Sequence, residues 1–267
     1  MGMLLGFAYI TLKENVRRRS FYGVVLAYLL ALVFSRILTE FSLQDPSKVL
    51  LDFTHTFLTF LVFLSVLFIS TDTLSKDIEK KGVYLILSKG ISRESYILGR
   101  SFGFLVFSFL LVFILGIIFL FGSWLLNKLS VEVFRKEVHI GAGLLILLSL
   151  WVKASLLSIV VLFLSTFMTN FFLVFLASVV VLMAGSSIEN LYYFVHLEED
   201  RISPVVRYLI TFMFYTLPSF SSLGPDVVLG LEKVNLGHLT LDLLKAVLYG
   251  GFLITLGSLI FRRREIA

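Results

Sequence analysis

The segment 72–101 holds the densest set of residues that could carry chemistry in this chain of 267 residues. It alternates charged side chains with a short apolar patch. The patch consists of Val83, Leu85, Ile86 and Leu87. Gly90 is suited to end a short helix, and Ser92 is suited to cap the next one, with Glu94 near its positive end. An apolar patch between charges is typical of a surface that docks a partner protein. The alternative is a solvated loop whose charges only fix the topology.

Lys153 is the second candidate, because it is the single formal charge between residues 138 and 188. A cation at the centre of a membrane-crossing helix costs about 2.5–3.5 kcal/mol on insertion scales, so such a residue is a functional candidate, here a residue of a substrate path. The cost vanishes if the side chain reaches the membrane surface. The sequence favours this second interpretation, with Lys153 near the outer end of its helix.

Familiar catalytic and metal-binding patterns are missing from the sequence. The chain has no cysteine, and its four histidines, His55, His139, His196 and His238, are too scattered for a zinc motif. No Gly-Lys dipeptide occurs, so a phosphate-binding loop for ATP is excluded, and no G-x-S-x-G elbow is present. We therefore predict a chain that is not an enzyme and binds no cofactor or metal itself.

The composition is that of a membrane protein. Hydrophobic residues make up 58% of the chain and charged residues 15%, and the mean hydropathy is +0.97. Ordinary soluble domains contain about 25% charged residues. A crossing helix needs about 20 mostly apolar residues. The gaps between charges predict an all-α integral membrane protein, one transmembrane domain over 1–267, with six spans at 21–38, 53–71, 102–126, 145–168, 171–189 and 241–261.

Two shorter helices are predicted outside the spans. Residues 1–20 are apolar early and basic late, which is typical of a helix lying in the membrane interface; a frayed terminus is the alternative. Residues 205–217 are apolar but only thirteen long, which suits a re-entrant or interfacial helix within an outer loop at 190–240. Thr169 and Asn170 are the predicted turn between the fourth and fifth spans.

Charge distribution predicts the orientation. With six spans and both termini inside, the inner segments hold 13 cationic and six acidic residues, as the retention of cationic flanks in the cytoplasm requires. The predicted location is the cytoplasmic (inner) membrane, crossed several times. The basic balance is explained by topology and gives no reason to expect nucleic acid. Gly99 and Gly103 form a G-x-x-x-G pair, which favours close packing of the third span against a second copy of the chain.

The inner segment resembles a known family. The run Asp77-Ile-Glu-Lys-Lys-Gly-Val-Tyr-Leu-Ile-Leu-Ser-Lys-Gly-Ile-Ser-Arg, followed by Tyr96-Ile-Leu-Gly-Arg, is similar to the permease subunits of type 2 ABC transporters. Gly90 stands where that family usually has Pro. Two other stretches match more loosely, Tyr215-Thr-Leu-Pro-Ser-Phe before the last span and Phe261-Arg-Arg-Arg-Glu at the end.

The resemblance implies half of an exporter. Two permease copies, identical or different, would lie side by side in the bilayer, each docked on a separate ABC ATPase that binds ATP and Mg, with the segment 72–101 as the coupling helix. The residues that it implies for coupling are Asp77, Glu79, Gly82, Leu85, Leu87, Ser88, Lys89, Ile91, Ser92 and Arg93.

Two other function classes stay open at this point. A membrane scaffold or assembly factor would share every topological feature and differ only in lacking an ATPase partner. An intramembrane enzyme would need paired acidic or histidine residues within the spans, and the sequence places such residues only at span boundaries.

Overall fold

The chain folds into a bundle of helices. The computed structural model describes residues 2–41, 46–79, 92–128, 139–168, 170–197, 202–221 and 236–263, and these residues are all-α, as predicted. The described helices are α1 Gly2–Val16, α2 Arg19–Glu40, α3 Pro46–Glu79, α4 Arg93–Lys128, α5 Ile140–Ser165, α6 Phe171–Leu197, α7 Pro204–Thr216 and α8 Leu236–Arg263.

Six of the described helices are long and apolar enough to cross a membrane: α2, α3, α4, α5, α6 and α8. Each contains or overlaps one of the six predicted spans. The other two described helices, α1 and α7, are also predicted, and α7 has the predicted length of thirteen residues. The prediction of a multi-pass helical membrane architecture is therefore confirmed.

Helix α5 forms the centre of the bundle. Of its most apolar 18-residue window 67% is buried, against 22% for α6 and for α8. An apolar membrane-crossing helix can face either lipid or protein, so the buried fraction of α5 is what places it at the centre. Two of its buried serines bond to the backbone or to a neighbouring helix: Ser165 donates to the carbonyl of Val161, and Ser155 shares a 2.8 Å hydrogen bond with Ser108 of α4. These hydroxyls are satisfied without water, as burial requires.

Several helices extend beyond the predicted spans. Helix α3 continues from 71 to Glu79, α6 continues from 189 to Leu197, and α4 begins at Arg93 rather than at 102. Hydropathy reports the lipid-embedded part of a helix, whereas backbone hydrogen bonding continues into the polar flank. Helix α6 begins at Phe171, the first residue of the predicted fifth span, and α5 ends at Ser165, three residues before the predicted end of the fourth span.

Both ends of the described chain lie at the same end of the bundle. We call this end the basal end. A buried apolar cluster there joins Tyr96 near the start of α4, Val161 near the end of α5, Val174 near the start of α6 and Phe261 near the end of α8. Arg18, between α1 and α2, is paired with Asp72 of α3. The first described helix and the end of the last one therefore lie at the same end of the bundle, as an even number of crossings requires.

Candidate functional site

The predicted coupling segment begins and ends at the basal end. Its first eight residues, 72–79, are the last two turns of α3, and its last nine, 93–101, are the first turns of α4, so both parts are helix rather than loop. Asp77 and Glu79 lie within α3. Ser92 directly precedes α4. Residues 80–91 lie outside the described part of the chain, and with them the predicted short helix. The coupling residues within 80–91 are Gly82, Leu85, Leu87, Ser88, Lys89 and Ile91.

On the α3 side, Arg18 ties the N-terminal helix to the segment. Its guanidinium pairs with the carboxylate of Asp72, donates to the Thr73 hydroxyl at 3.1 Å and bonds Glu14 at 2.9 Å. Thr73 in turn donates to the side-chain oxygen of Asn15 at 3.3 Å. A planar guanidinium with five donors is suited to join several acceptors at once. The end of α3 is thus fixed against α1 just before the coupling segment leaves the bundle.

On the α4 side, the predicted cap is confirmed. The backbone N–H of Ser95 donates to the Ser92 hydroxyl at 3.2 Å, and Glu94 lies in the first turn of α4. Arg93 donates to the carbonyl oxygens of Phe261 and Arg262, each at 3.2 Å. The last carbonyls of a helix have no partner within that helix, so Arg93 satisfies the end of α8. The family resemblance places Arg93 against an ATPase; here it contacts the chain's own last helix.

The G-x-x-x-G pair packs inside the chain. Gly99 and Gly103 are both buried, and a Cβ at Gly103 would lie 2.7 Å from Cβ of Thr11 in α1. Arg100, also buried, donates to the Thr11 hydroxyl at 2.9 Å. The expectation that Gly103 packs against a second permease is therefore wrong: α1 of the same chain occupies that face. The spacing of two glycines four residues apart shows that a helix face carries small residues, but it does not show which helix packs against that face.

Lys153 is buried in the middle of the bundle. It lies halfway along α5, about 20 Å from Ile140 at 1.5 Å per residue, and its side chain is only 3% exposed. Its ammonium donates to the backbone carbonyl of Ser219 at 3.0 Å. The interpretation that Lys153 reaches the membrane surface near the outer end of its helix is wrong, because α5 begins earlier than the predicted 145 and the side chain points inward.

Lys153 lines a cavity of about 530 Å³, which we call the Lys153 cavity. Helices α5, α6, α7 and α8 and the segment 217–219 form its walls. Its charged or titratable side chains are Lys153, Glu189, His238, Asp242 and Lys245. Aromatic side chains complete the lining: Tyr193, Phe214, Tyr215 and Tyr249. This combination of apolar walls and a few polar groups is the usual composition of a small-molecule site.

The cavity floor is a short extended segment after α7. The Ser219 hydroxyl donates to Glu189 at 3.2 Å, and the N–H of Phe220 donates to the carbonyl of Gly185 at 3.1 Å. A Cβ at Gly185 would lie 2.2 Å from the carbonyl oxygen of Pro218, so only glycine permits this approach. Phe220 is buried and meets Phe63 edge to face. Segment 218–220 is thus wedged between α3, α5 and α6.

Sequence reasoning missed two acidic residues of this cavity. The predicted fifth span ends at Glu189, but α6 continues about 12 Å beyond it. The predicted last span has Asp242 near its outer end, but α8 begins about 9 Å before it. Both carboxylates therefore lie within helices and face the same cavity as Lys153. The sequence feature that could have identified both residues is that each lies beside an apolar run, at one end of a predicted span. The outer loop also contains an acidic run, Glu198, Glu199 and Asp200, which lies outside the described residues.

Among the described residues, no three His, Asp or Glu side chains lie close enough together to hold a metal ion. No protein-family model and no curated protein matches the chain.

Proposed function

We propose that this chain is the membrane-spanning subunit of an ATP-driven exporter of the type 2 ABC class. Two permease copies, identical or different, form the substrate path in the cytoplasmic membrane, and each is coupled through the segment 72–101 to a separate ATPase chain. The observation that carries the proposal is the sequence run from Asp77 to Arg93, which is similar to the coupling segment of that family. The chain itself does no hydrolysis; ATP and Mg belong to the partner.

The contacts at the basal end support this proposal. A coupling segment transmits force only if its ends are fixed to the helices that must move. Arg18 holds the α3 side to α1, and Arg93 holds the α4 side to the end of α8. A displacement of the segment would therefore move α1, α3, α4 and α8 together.

The partner drives such motion only by binding two conformations of the segment differently. The ATP-bound and ATP-free states of the ATPase must then contact the apolar patch and its flanking charges in different ways. Alternation between these contacts changes the packing of the spans around the substrate path, to which we assign Lys153.

Co-purification tests the proposal. After mild solubilisation, an ABC ATPase is expected to co-elute with the chain and to hydrolyse ATP. Glu79→Lys and Leu85→Asp, tested separately, should each lower ATPase recovery and turnover by roughly tenfold or more, because one reverses a flanking charge and the other places a carboxylate in the apolar patch.

Glu40→Lys is the matched control. Glu40 is exposed at the end of α2, away from the basal end, and the variant makes the same charge change as Glu79→Lys. This control should retain the ATPase. If no ATPase co-elutes with the native chain, the permease role is wrong and the scaffold alternative stands. If an ATPase co-elutes and both test variants retain it with full turnover, the coupling role of the segment is wrong.

A further inference from the structure

The Lys153 cavity keeps two opposite charges apart. Lys153 bonds the carbonyl of Ser219, and Glu189 accepts from the hydroxyl of the same residue. Within the described part of the chain, neither forms an ion pair with the other or with any other charged group. Asp242 and Lys245, at the cavity margin, do pair with each other, at 3.8 Å. Ser219 therefore acts as a spacer between an ammonium and a carboxylate.

Among the described residues, both charges retain bonding capacity. An ammonium has three donors, and Lys153 uses one of them on Ser219; a carboxylate has about four acceptor positions, and Glu189 uses one on Ser219. Charged groups removed from bulk water need such partners, since an incompletely bonded buried charge is costly. A purely anionic ligand would meet Glu189 with the wrong sign, and a purely cationic ligand would meet Lys153 with the wrong sign. A ligand with both charges satisfies both residues.

The rim of the cavity is apolar and accessible. Tyr193, Tyr215, Leu241 and Leu248 line the cavity and are 55%, 74%, 54% and 65% exposed. On a membrane-crossing bundle, an exposed apolar rim of this kind faces lipid. An acyl or alkyl chain attached to the bound headgroup can therefore leave the cavity along this rim without entering water.

We propose that the Lys153 cavity binds the zwitterionic headgroup of an amphiphile, its anionic group on Lys153, its ammonium on Glu189 and its apolar chain over the rim. Phosphate plus ammonium is the simplest headgroup chemistry that fits. The cavity volume of about 530 Å³ is sufficient for such a headgroup. This inference goes beyond the transport proposal, because binding to the isolated chain does not depend on an ATPase partner.

Native mass spectrometry of the detergent-solubilised chain tests the binding. The probes are lysophosphatidylethanolamine, chain-matched lysophosphatidylglycerol, a chain-matched alkylamine and free phosphoethanolamine. The zwitterionic lysolipid should bind with a preference of roughly tenfold or more over the anionic and cationic amphiphiles, since each lacks one charge-assisted hydrogen bond. Equal binding of free phosphoethanolamine and the lysolipid would support the headgroup site and assign it to a water-soluble zwitterion.

Two variants should change the selectivity in opposite directions. Glu189→Gln still accepts from Ser219 and should lose the discrimination against the anionic lysolipid. Lys153→Met should lose the discrimination against the alkylamine. A merely structural role would weaken all probes alike. Glu40→Gln and Lys128→Met, both exposed and outside the cavity, are the matched controls and should keep the native order.

Equal binding of the three amphiphiles to the native chain would overturn the proposal. An unchanged order in Glu189→Gln would also overturn it, and this variant decides the question alone if Lys153→Met fails to fold. Preference for the anionic lysolipid in the native chain would overturn the zwitterion assignment. None of these results bears on the ATPase partner, whose test is co-elution.

Discussion

The basal end and the Lys153 cavity use the same residue types in opposite ways. At the basal end, Arg18 is bonded to two carboxylates and a hydroxyl, and Arg93 closes the end of α8. In the cavity, Lys153 and Glu189 are held apart by Ser219. Charges that satisfy each other stabilise a fixed arrangement, whereas charges that are separated and face a cavity are available to a ligand. The difference separates a mechanical role from a binding role within one bundle.

The wedged segment at the cavity floor should give the largest effect on stability. Gly185→Ala places a Cβ 2.2 Å from the Pro218 carbonyl oxygen, so segment 218–220 must move. We expect a loss of about 1–3 kcal/mol, the usual cost of overpacking, seen as a lower thermal midpoint in detergent. Gly251→Ala is the control, because its Cβ would meet nothing within 4 Å. Equal midpoints for the two variants would contradict the wedge.

The Arg18–Asp72 pair should give the next largest effect on stability. Both side chains are partly buried, 18% and 29% exposed, and they join α1–α2 to α3. A double-mutant cycle with Arg18→Met and Asp72→Asn should give a coupling free energy of about 1 kcal/mol or more, since directly contacting groups are not additive. Additive single effects, within about 0.3 kcal/mol, would show that this contact does not fix the end of α3.

The Glu94–Arg262 pair should give the smallest effect. Its closest approach is 3.6 Å, and both side chains are exposed, 52% and 71%. Exposed pairs contribute about 0.2–1 kcal/mol and are screened by salt. The cycle with Glu94→Gln and Arg262→Gln should therefore give a coupling below that of Arg18–Asp72, and about 1 M NaCl should remove it. A coupling as large as that of Arg18–Asp72 would reverse the ranking.

The sequence predicts the local features of this fold well. The spacing of charges gives six apolar spans, because the cost of a buried charge acts residue by residue. The Ser92 cap and the short helix ending at Thr216 are likewise local, since they depend on neighbouring residues. Helix ends are predicted less well, as in α3 and α6, because hydropathy changes at the membrane surface while the helix continues.

The sequence does not predict which residues from distant parts of the chain come together in the folded bundle. Lys153, Glu189 and Asp242 are far apart in sequence, and only the packing of α5, α6 and α8 brings them to one cavity. The Gly103 pair illustrates the same limit, because its partner Thr11 lies on α1, 92 positions away. The missed cavity and the wrong partner for Gly103 have the same cause. Which helix a given face contacts is a property of the whole bundle.

Cysteine labelling from either side of the membrane tests the central claim most directly. The native chain has no cysteine, so Lys89→Cys in the coupling segment and Ser203→Cys, exposed before α7, give single-site reporters. With a membrane-impermeant maleimide added to intact cells, we predict labelling at position 203 and protection at position 89, which should react only after the membrane is opened. Labelling of position 89 from outside would contradict the account, because no cytoplasmic ATPase could then reach the segment.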